Sequence, residues 1–360
     1  MIKVKEKNAV RVALGAEDAE YIVLDGHKVW PYNDSVAHPF TLLSRADGNE
    51  ISLTFTAPDP AEGEDAETLD VEVWVDGAAS PTTLTATAGT PLLLATLDRT
   101  HRVRVRLGDY TPSSTRYVTF SATDSYEAYG DLLTLKGKTV VSSYDYYHLF
   151  YGSTTLTHSR GLVMPSVAMA TYCFANMFHG CTALVDASEL PSMNLATYCY
   201  NAMYYRCTAL KRAQRILPAT KLKQYCYASM FNSSGLRTAP VLPAIALNPL
   251  YHCYENMLRD SNVRWVKALF TTSPTTSYTA NWVSGLPNNA SCVFVKNENA
   301  TWTTTGQHSV PARWTQYTCA PDDYTTPWDG TWEEPEQEAA SASSTVETTS
   351  MASDSMDEEI

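Results

Sequence analysis

Between residues 140 and 270 the chain repeats itself, and a repeat of this length restricts the fold more than any other feature. Tyr172-Cys173-Phe174-Ala175-Asn176-Met177-Phe178 returns as Tyr198-Cys199-Tyr200-Asn201-Ala202-Met203-Tyr204 and as Tyr225-Cys226-Tyr227-Ala228-Ser229-Met230-Phe231. A weaker copy is His252-Cys253-Tyr254-Glu255-Asn256-Met257-Leu258, and a degenerate first copy is Tyr144-Asp145-Tyr146-Tyr147-His148-Leu149-Phe150. The anchors Leu149, Met177, Met203, Met230 and Met257 are spaced 28, 26, 27 and 27 residues apart. A leucine position follows each copy (Leu156, Leu184, Leu210, Leu236, then Val263), and an apolar-Pro pair separates copies (Met164-Pro165, Leu190-Pro191, Leu217-Pro218, Leu242-Pro243). One such unit cannot bury its apolar side alone, so stacked copies must share a core. The spacing predicts a short solenoid of about five coils over 136–270. Each coil is expected to hold a short strand near the leucine, a proline corner, and a helical or 3₁₀ turn around the Tyr-Cys-aromatic motif. Met177, Met203, Met230 and Met257 are expected to point inward in register with Leu184, Leu210 and Leu236.

The flanks read differently. Residues 1–33 form short hairpin-like pieces, with Asp25-Gly26 as a turn pair between apolar runs and Pro31 ending them. Residues 38–135 are β-rich. Ile51–Thr56, Leu69–Val75 and Val103–Leu107 alternate with period two, Asp76-Gly77 and Gly108-Asp109 supply turns, and 57–67 is a loop. Short strands separated by turns suggest a sandwich-like domain with one wet face. Residues 271–320 would close the solenoid. The expected class is mainly β with short helical turns: an N-terminal sandwich-like domain followed by the repeats.

Charge narrows the functions. Of 39 acidic residues, 12 lie in 320–360, and no Lys or Arg follows Arg313. The remaining body is close to neutral, which excludes nucleic-acid binding by counterion release as a main activity. From about Thr331 the tail is rich in Ala, Ser, Thr and acids, and is expected to be disordered. No apolar run is long enough to span a membrane. Met1-Ile2-Lys3-Val4-Lys5-Glu6-Lys7-Asn8 lacks the apolar core of a signal peptide, and no lipidation cysteine lies near the start. The expectation is a chain not exported by that route.

The pattern Leu-Pro-x-x-x-Leu-x-x-Tyr-Cys-Tyr-x-x-Met-Phe-x-x-Cys-Thr-x-Leu resembles the BspA-like leucine-rich repeat of surface proteins of the Bacteroides type. Cys181-Thr182-Ala183-Leu184 and Cys207-Thr208-Ala209-Leu210 match it well. Lys267-Ala268-Leu269-Phe270-Thr271-Thr272, Asn281-Trp282-Val283-Ser284-Gly285, Phe294-Val295-Lys296-Asn297 and Thr301-Trp302-Thr303-Thr304-Thr305-Gly306 are also similar to segments of such proteins. The resemblance covers Leu135–Gln316, about half of the chain. Val12-Ala13-Leu14-Gly15 and Lys28-Val29-Trp30-Pro31 are similar to short starts of Bacteroides-phage structural proteins.

Candidate chemistry is sparse. Cys173 and Cys181 are eight residues apart, as are Cys199 and Cys207, wider than the two-to-four-residue gap of zinc ligands. Equivalent positions stack in a solenoid, so Cys173, Cys199, Cys226 and Cys253 read as a ladder of buried free thiols, with disulfides and metal pairs as alternatives. Phe174, Tyr200, Tyr227 and Tyr254 read as a packed core column, with a glycan-stacking platform as the alternative. Tyr144, Tyr147, Tyr151 and Tyr205 are the residues expected to be exposed and to bind a glycan or partner. His179 and His252 read as solvated surface. Asp186, Glu189 and Glu255 are the main acids of the repeats, and their equivalents in other copies are not acidic. No motif of nucleophilic, metal or phosphate chemistry is present, so no catalytic residue, metal or cofactor is expected.

Three functions compete. The first is a non-catalytic virion structural protein, a fibre or surface decoration binding host glycan or protein. The second is a bacterial cell-surface adhesin with leucine-rich repeats, and the third a glycan-active enzyme. In the first, residues 1–33 anchor the chain to other virion proteins, the location is the virion assembled in host cytoplasm, and homo-oligomers are possible.

Overall fold

A computed structural model describes residues 38–247 and 252–324, together with the backbone of three short strands nearer the start. Those strands, β1 (Ala9–Val10), β2 (Ile22–Leu24) and β3 (His27–Val29), pair antiparallel in the order β1-β2-β3. The β2–β3 register (Ile22↔Val29, Val23↔Lys28, Leu24↔His27) is that of a hairpin. The Asp25-Gly26 pair, Pro31 and the acidic tail lie outside the described residues.

The fold is mainly β. Strands β4 (Thr41–Ser44), β5 (Asn49–Thr56), β6 (Thr68–Val75), β7 (Thr82–Thr87), β8 (Pro91–Leu97), β9 (Arg102–Leu107), β10 (Tyr117–Ala122) and β11 (Tyr126–Asp131) follow in turn. They make two sheets, β10-β5-β8 and one that includes β11-β4-β9-β6-β7. The period-two reading holds where it was clearest. Ile51, Leu53 and Phe55 of β5, Leu69, Val71 and Val73 of β6, and Val103, Val105 and Leu107 of β9 are all buried. Both residues of the Asp76-Gly77 pair have positive φ (47° and 77°), and the Ala78 N–H donates to the Val75 carbonyl at 3.0 Å across them.

Strand β11 is the joint. On one side it runs antiparallel to β4, and on the other it runs parallel to β12 (Leu156–His158) and β13 (Leu162–Val163). Gly130 makes this crossing possible: its φ is 90°, and a Cβ there would lie 2.2 Å from the Pro39 carbonyl oxygen. A 3₁₀ turn, Leu132–Lys136, follows, capped by the Asp131 carboxylate accepting the Leu133 N–H and ended by left-handed Gly137. Lys136 pairs with Asp145 of the first repeat copy at 2.9 Å, with both side chains buried, and its ammonium lies 4.2 Å from the centre of the Tyr110 ring. Burial pushes Lys136 below the ordinary lysine range while Asp145 pulls it back.

Beyond β12 the parallel pairing continues from copy to copy. Bridges join His158 to Asp186, Asp186 to Arg212, Ile216 to Val241, Thr238 to Trp265 and Leu242 to Ala268. Strands β14 (Trp265–Ala268), β15 (Val293–Asn297) and β16 (Thr315–Cys319) then form a parallel sheet in that order.

Of the expected helical or 3₁₀ turn at the Tyr-Cys motif, no continuous helix forms; single i→i−3 turns, bonded as in a 3₁₀ turn, alternate with bonds to the next copy. Alternate N–H groups stay within a copy: Tyr147 donates to the Tyr144 carbonyl (3.2 Å) and Tyr151 to that of His148 (3.0 Å). The intervening ones leave it: Tyr146 donates to Cys173 (2.9 Å), Phe150 to Met177 (2.8 Å) and Gly152 to His179 (2.7 Å). An α-helix keeps every N–H for its own i−4 carbonyl, which this division forbids. Every fourth residue is left-handed: Tyr144, His148 and Gly152, then Tyr172, Asn176 and Gly180, then Tyr198, Ala202 and Arg206. The same register reaches Tyr254→Tyr278 (3.0 Å), Leu258→Trp282 (2.9 Å) and Asp260→Ser284 (2.8 Å), inside the segment read as closing the repeats. The helix there, α1 (Thr276–Thr279), is one turn long and capped by the Thr275 hydroxyl.

Residues 27 or so apart therefore stack. Tyr146, Phe174, Tyr200, Tyr227 and Tyr254 form one buried column with near-parallel neighbours 5.1, 5.7, 5.9 and 6.0 Å apart. Phe150, Phe178, Tyr204 and Phe231 form a second, spaced 5.3, 5.2 and 5.6 Å. Met177, Met203, Met230 and Met257 are buried with Leu184, Leu210 and Leu236, as their spacing predicts. One hydrophobic cluster runs from Phe40 through the repeats to Trp314.

Replacing Met203 with Asp should lower unfolding free energy by at least about 3 kcal/mol, because a carboxylate would be buried without a partner. Met203→Leu, of similar volume, should cost less than about 1.5 kcal/mol. Denaturant titration checks both, and an unchanged midpoint for Met203→Asp contradicts the shared core.

Candidate functional site: two rows of partly exposed rings

The left-handed residue that opens each copy carries a ring. Tyr144, Tyr172, Tyr198, Tyr225 and His252 occupy this position with φ between 53° and 66°. Their side chains stack outside the core, each partly exposed. Ring centres are 5.0, 4.5, 4.5 and 4.9 Å apart, with planes within 11° of parallel. Burial, with its tyrosine neighbours, pushes Tyr198 up to about 12, so its hydroxyl stays protonated at neutral pH. At the far end, the His252 ring pairs with Glu255 at 2.8 Å.

A second row runs beside the first. His148 and Tyr151 are 4.3 Å apart, Tyr151 and His179 4.8 Å, and His179 and Tyr205 4.6 Å. Tyr147 joins the rows. It stacks on His148 at 3.8 Å and meets Tyr144 edge-on at 5.4 Å. Tyr117 of β10 packs edge-on against Tyr147 and His148. The β10 edge is bound to the first copy at the same place, with Phe120 N–H donating to the Leu149 carbonyl at 2.8 Å. Arg206 lies 5.3 Å from the Tyr205 ring centre.

All four tyrosines singled out from the sequence thus belong to one ring network. Tyr144, Tyr147 and Tyr151 are linked through His148, and Tyr205 through His179. Tyr151 is the most open of them, 43% exposed, while the other three are partly buried. His179 and His252 are not simply solvated: each is a partly buried member of a row. Burial lowers His148 to about 4, with His179 adding to the effect, and burial with the neighbouring Arg206 lowers His179. Both imidazoles are neutral at pH 7. The Tyr172, Tyr198 and Tyr225 row was missed. Its signal was the tyrosine before each repeat cysteine, which the spacing displayed but did not place outside the core.

The geometry also limits the chemistry. Stacked rings cover one another's faces, so the first row offers edges and hydroxyls rather than open faces. The Phe174, Tyr200, Tyr227 and Tyr254 column is buried, which removes it as a sugar-stacking platform.

Elsewhere, His158 Nδ1 lies 2.9 Å from Asp186, whose other oxygen accepts the Ser159 and Arg160 N–H groups. The nearby Ser159 and Ser188 hydroxyls donate to the Asp186 and Ser159 carbonyls, so this cluster ties copies together. Asp186 raises His158, opposing burial.

All eight cysteines are free, and all but Cys319 are buried. The Cys181 and Cys207 thiols donate to the Phe150 and Phe178 carbonyls at 3.1 Å. Burial pushes Cys199 and Cys253 up to about 12. No group of three or more His, Cys, Asp or Glu among the described residues is arranged to hold a metal ion. No helix among them is long and apolar enough to cross a membrane. No protein family, curated protein or solved structure matches the chain.

Two outcomes follow from these environments. Under native conditions iodoacetamide should modify Cys319 first, and in denaturant without reductant all eight thiols should react. Intact mass spectrometry reads both, and a persistent loss of two sites contradicts free thiols. The second outcome concerns acid. The unfolded chain binds a proton at His148 near pH 6.5 and the folded chain only near 4, so this residue costs stability as pH falls through that window. His158 acts oppositely, contributing below its unfolded pKa and losing its contribution as pH rises through the raised folded value. His148→Asn keeps a side chain that tolerates positive φ. Its melting temperature should fall less between pH 6.5 and 4 than that of the unaltered protein, and an identical slope contradicts the assignment.

Proposed function

We propose that this chain is a non-catalytic structural protein of a phage virion, a fibre or surface decoration, that recognises a host-surface glycan. In this reading residues 136–270 form a BspA-like leucine-rich-repeat solenoid, the β-rich block caps its start, and residues 271–320 close it. The supporting observations are the copy-to-copy hydrogen bonds and the ring columns, both at the repeat spacing. Solenoids use the extended faces their repeats create for binding.

The observation that carries recognition is the double ring row. It places Tyr144, Tyr147, Tyr151 and Tyr205 in one partly exposed network across successive copies. Tyrosine suits such a surface, since it combines apolar area with a hydroxyl at low cost in side-chain freedom. The virion assignment rests on the resemblance of the opening segment to phage structural proteins. Strands β1–β3 would anchor the chain by pairing a free edge with a neighbouring virion protein.

The protein should be found in purified virions by mass spectrometry, and removal of residues 1–32 should abolish incorporation while leaving the repeats folded. Incorporation of the truncated chain would refute the anchor. Release of reducing ends from host capsular polysaccharide at enzymatic rates would refute the non-catalytic reading.

A further inference from the structure

We infer that Lys136 and Asp145 join in an isopeptide bond, an amide between Lys136 Nζ and Asp145 Cγ that ties the end of the β-rich block to the first repeat copy. The two side chains are 3% and 0% exposed, and Nζ lies 2.9 Å from Oδ1. Backbone on both sides holds them there. Lys136 ends the 3₁₀ turn Leu132–Lys136, closed by left-handed Gly137, and the Asp145 N–H donates to the Ser142 carbonyl at 3.3 Å. Lys267 and Asp323 meet at the same 2.9 Å, but Asp323 is 33% exposed, and its hydration keeps that pair ionic.

Burial supplies the drive. Two charges are costly to keep out of water, and a neutral amide carries neither. Burial also pushes Lys136 below the ordinary lysine range, toward the neutral amine that acts as a nucleophile. In the reaction a proton passes from Nζ to Oδ1 along the hydrogen bond between them. The amine then forms the Nζ–Cγ bond, the Cγ–Oδ1 bond breaks, and a second Nζ proton leaves with Oδ1 as water. Nothing is oxidised or reduced, and no co-reactant is consumed.

Two further groups are aimed at the reacting carboxyl. The Lys138 ammonium lies 3.4 Å from Oδ1, the oxygen that leaves, and stabilises the charge that builds there as the bond breaks. The Ser142 N–H donates to Oδ2, the oxygen that carries the negative charge of the tetrahedral intermediate. With two lysines on one buried carboxyl, Lys136 is the one that gives up its proton, because Lys138 is 31% exposed and keeps part of its hydration. The Tyr110 ring, centred 4.2 Å from the Lys136 Nζ, shields that amine.

The test is mass spectrometry of the full chain, intact and after trypsin. The intact chain, denatured, should be one water lighter than its sequence mass, and not two, since Lys267 and Asp323 stay unjoined. The bond blocks cleavage after Lys136, so trypsin should release segments 117–138 and 139–160 as one branched species, one water lighter than their sum. Lys136→Arg keeps the positive charge but offers no amine, and should restore the full mass and separate the segments. The unaltered chain is decisive whether or not this variant folds. A full sequence mass with segments 117–136 and 139–160 released separately overturns the inference. A water lost anywhere other than between Lys136 and Asp145 overturns it too.

Discussion

Alternate N–H groups of the Tyr-Cys segment leave their own copy and donate to the next, and most of the structure follows from this. The hydrogen bonds hold equivalent residues a fixed distance apart, so side chains 26–28 positions apart must face one another. Flat rings tolerate that arrangement because parallel neighbours at 5–6 Å fill the space between copies without gaps. Sulfur serves where the space is smaller, which accounts for the buried cysteine and methionine rows. The backbone accepts positive φ at every fourth residue to achieve this, including at tyrosines. Such a conformation persists only where surrounding contacts over-determine it.

The β-rich block is continuous with the repeats. Strand β11 gives one edge to antiparallel β4 and the other to parallel β12, so a single ladder passes between the two regions. The Lys136–Asp145 pair fixes the same joint from inside. A buried pair of this kind is weak evidence for added stability, but loss of either partner would strand a charge. One core therefore serves both regions, and the partly exposed ring rows are held on it.

The ring network was partly legible. Tyr144, Tyr147, Tyr151 and Tyr205 stand out as tyrosines outside the packed column, and they do meet. Tyr172, Tyr198 and Tyr225 were visible as repeats yet silent about direction. In a helix or strand, periodicity reveals which side faces inward. Here Cys173 and Phe174 both point inward and Tyr172 does not, a pattern with no period of 2 or 3.6. The shifted imidazoles were invisible for a related reason. His148 is packed by Tyr117, which is 31 positions away and arrives from strand β10.

Taken alone, the sequence determined the repeat length, the apolar anchors, the strands β5, β6 and β9 with their buried faces, and the thiol and inner ring rows. These depend on spacing and alternation, which a linear pattern carries in full. Tertiary structure decided the rest. Whether the Tyr-Cys segment coiled into a helix or divided its hydrogen bonds between copies depended on a neighbour being there to accept them. The continuation of the register into 278–284 lacks the motif, so only the carbonyls waiting there revealed it. The outer tyrosine row likewise exists only because stacking brings its members, some 27 residues apart, to within 4.5–5.0 Å of one another.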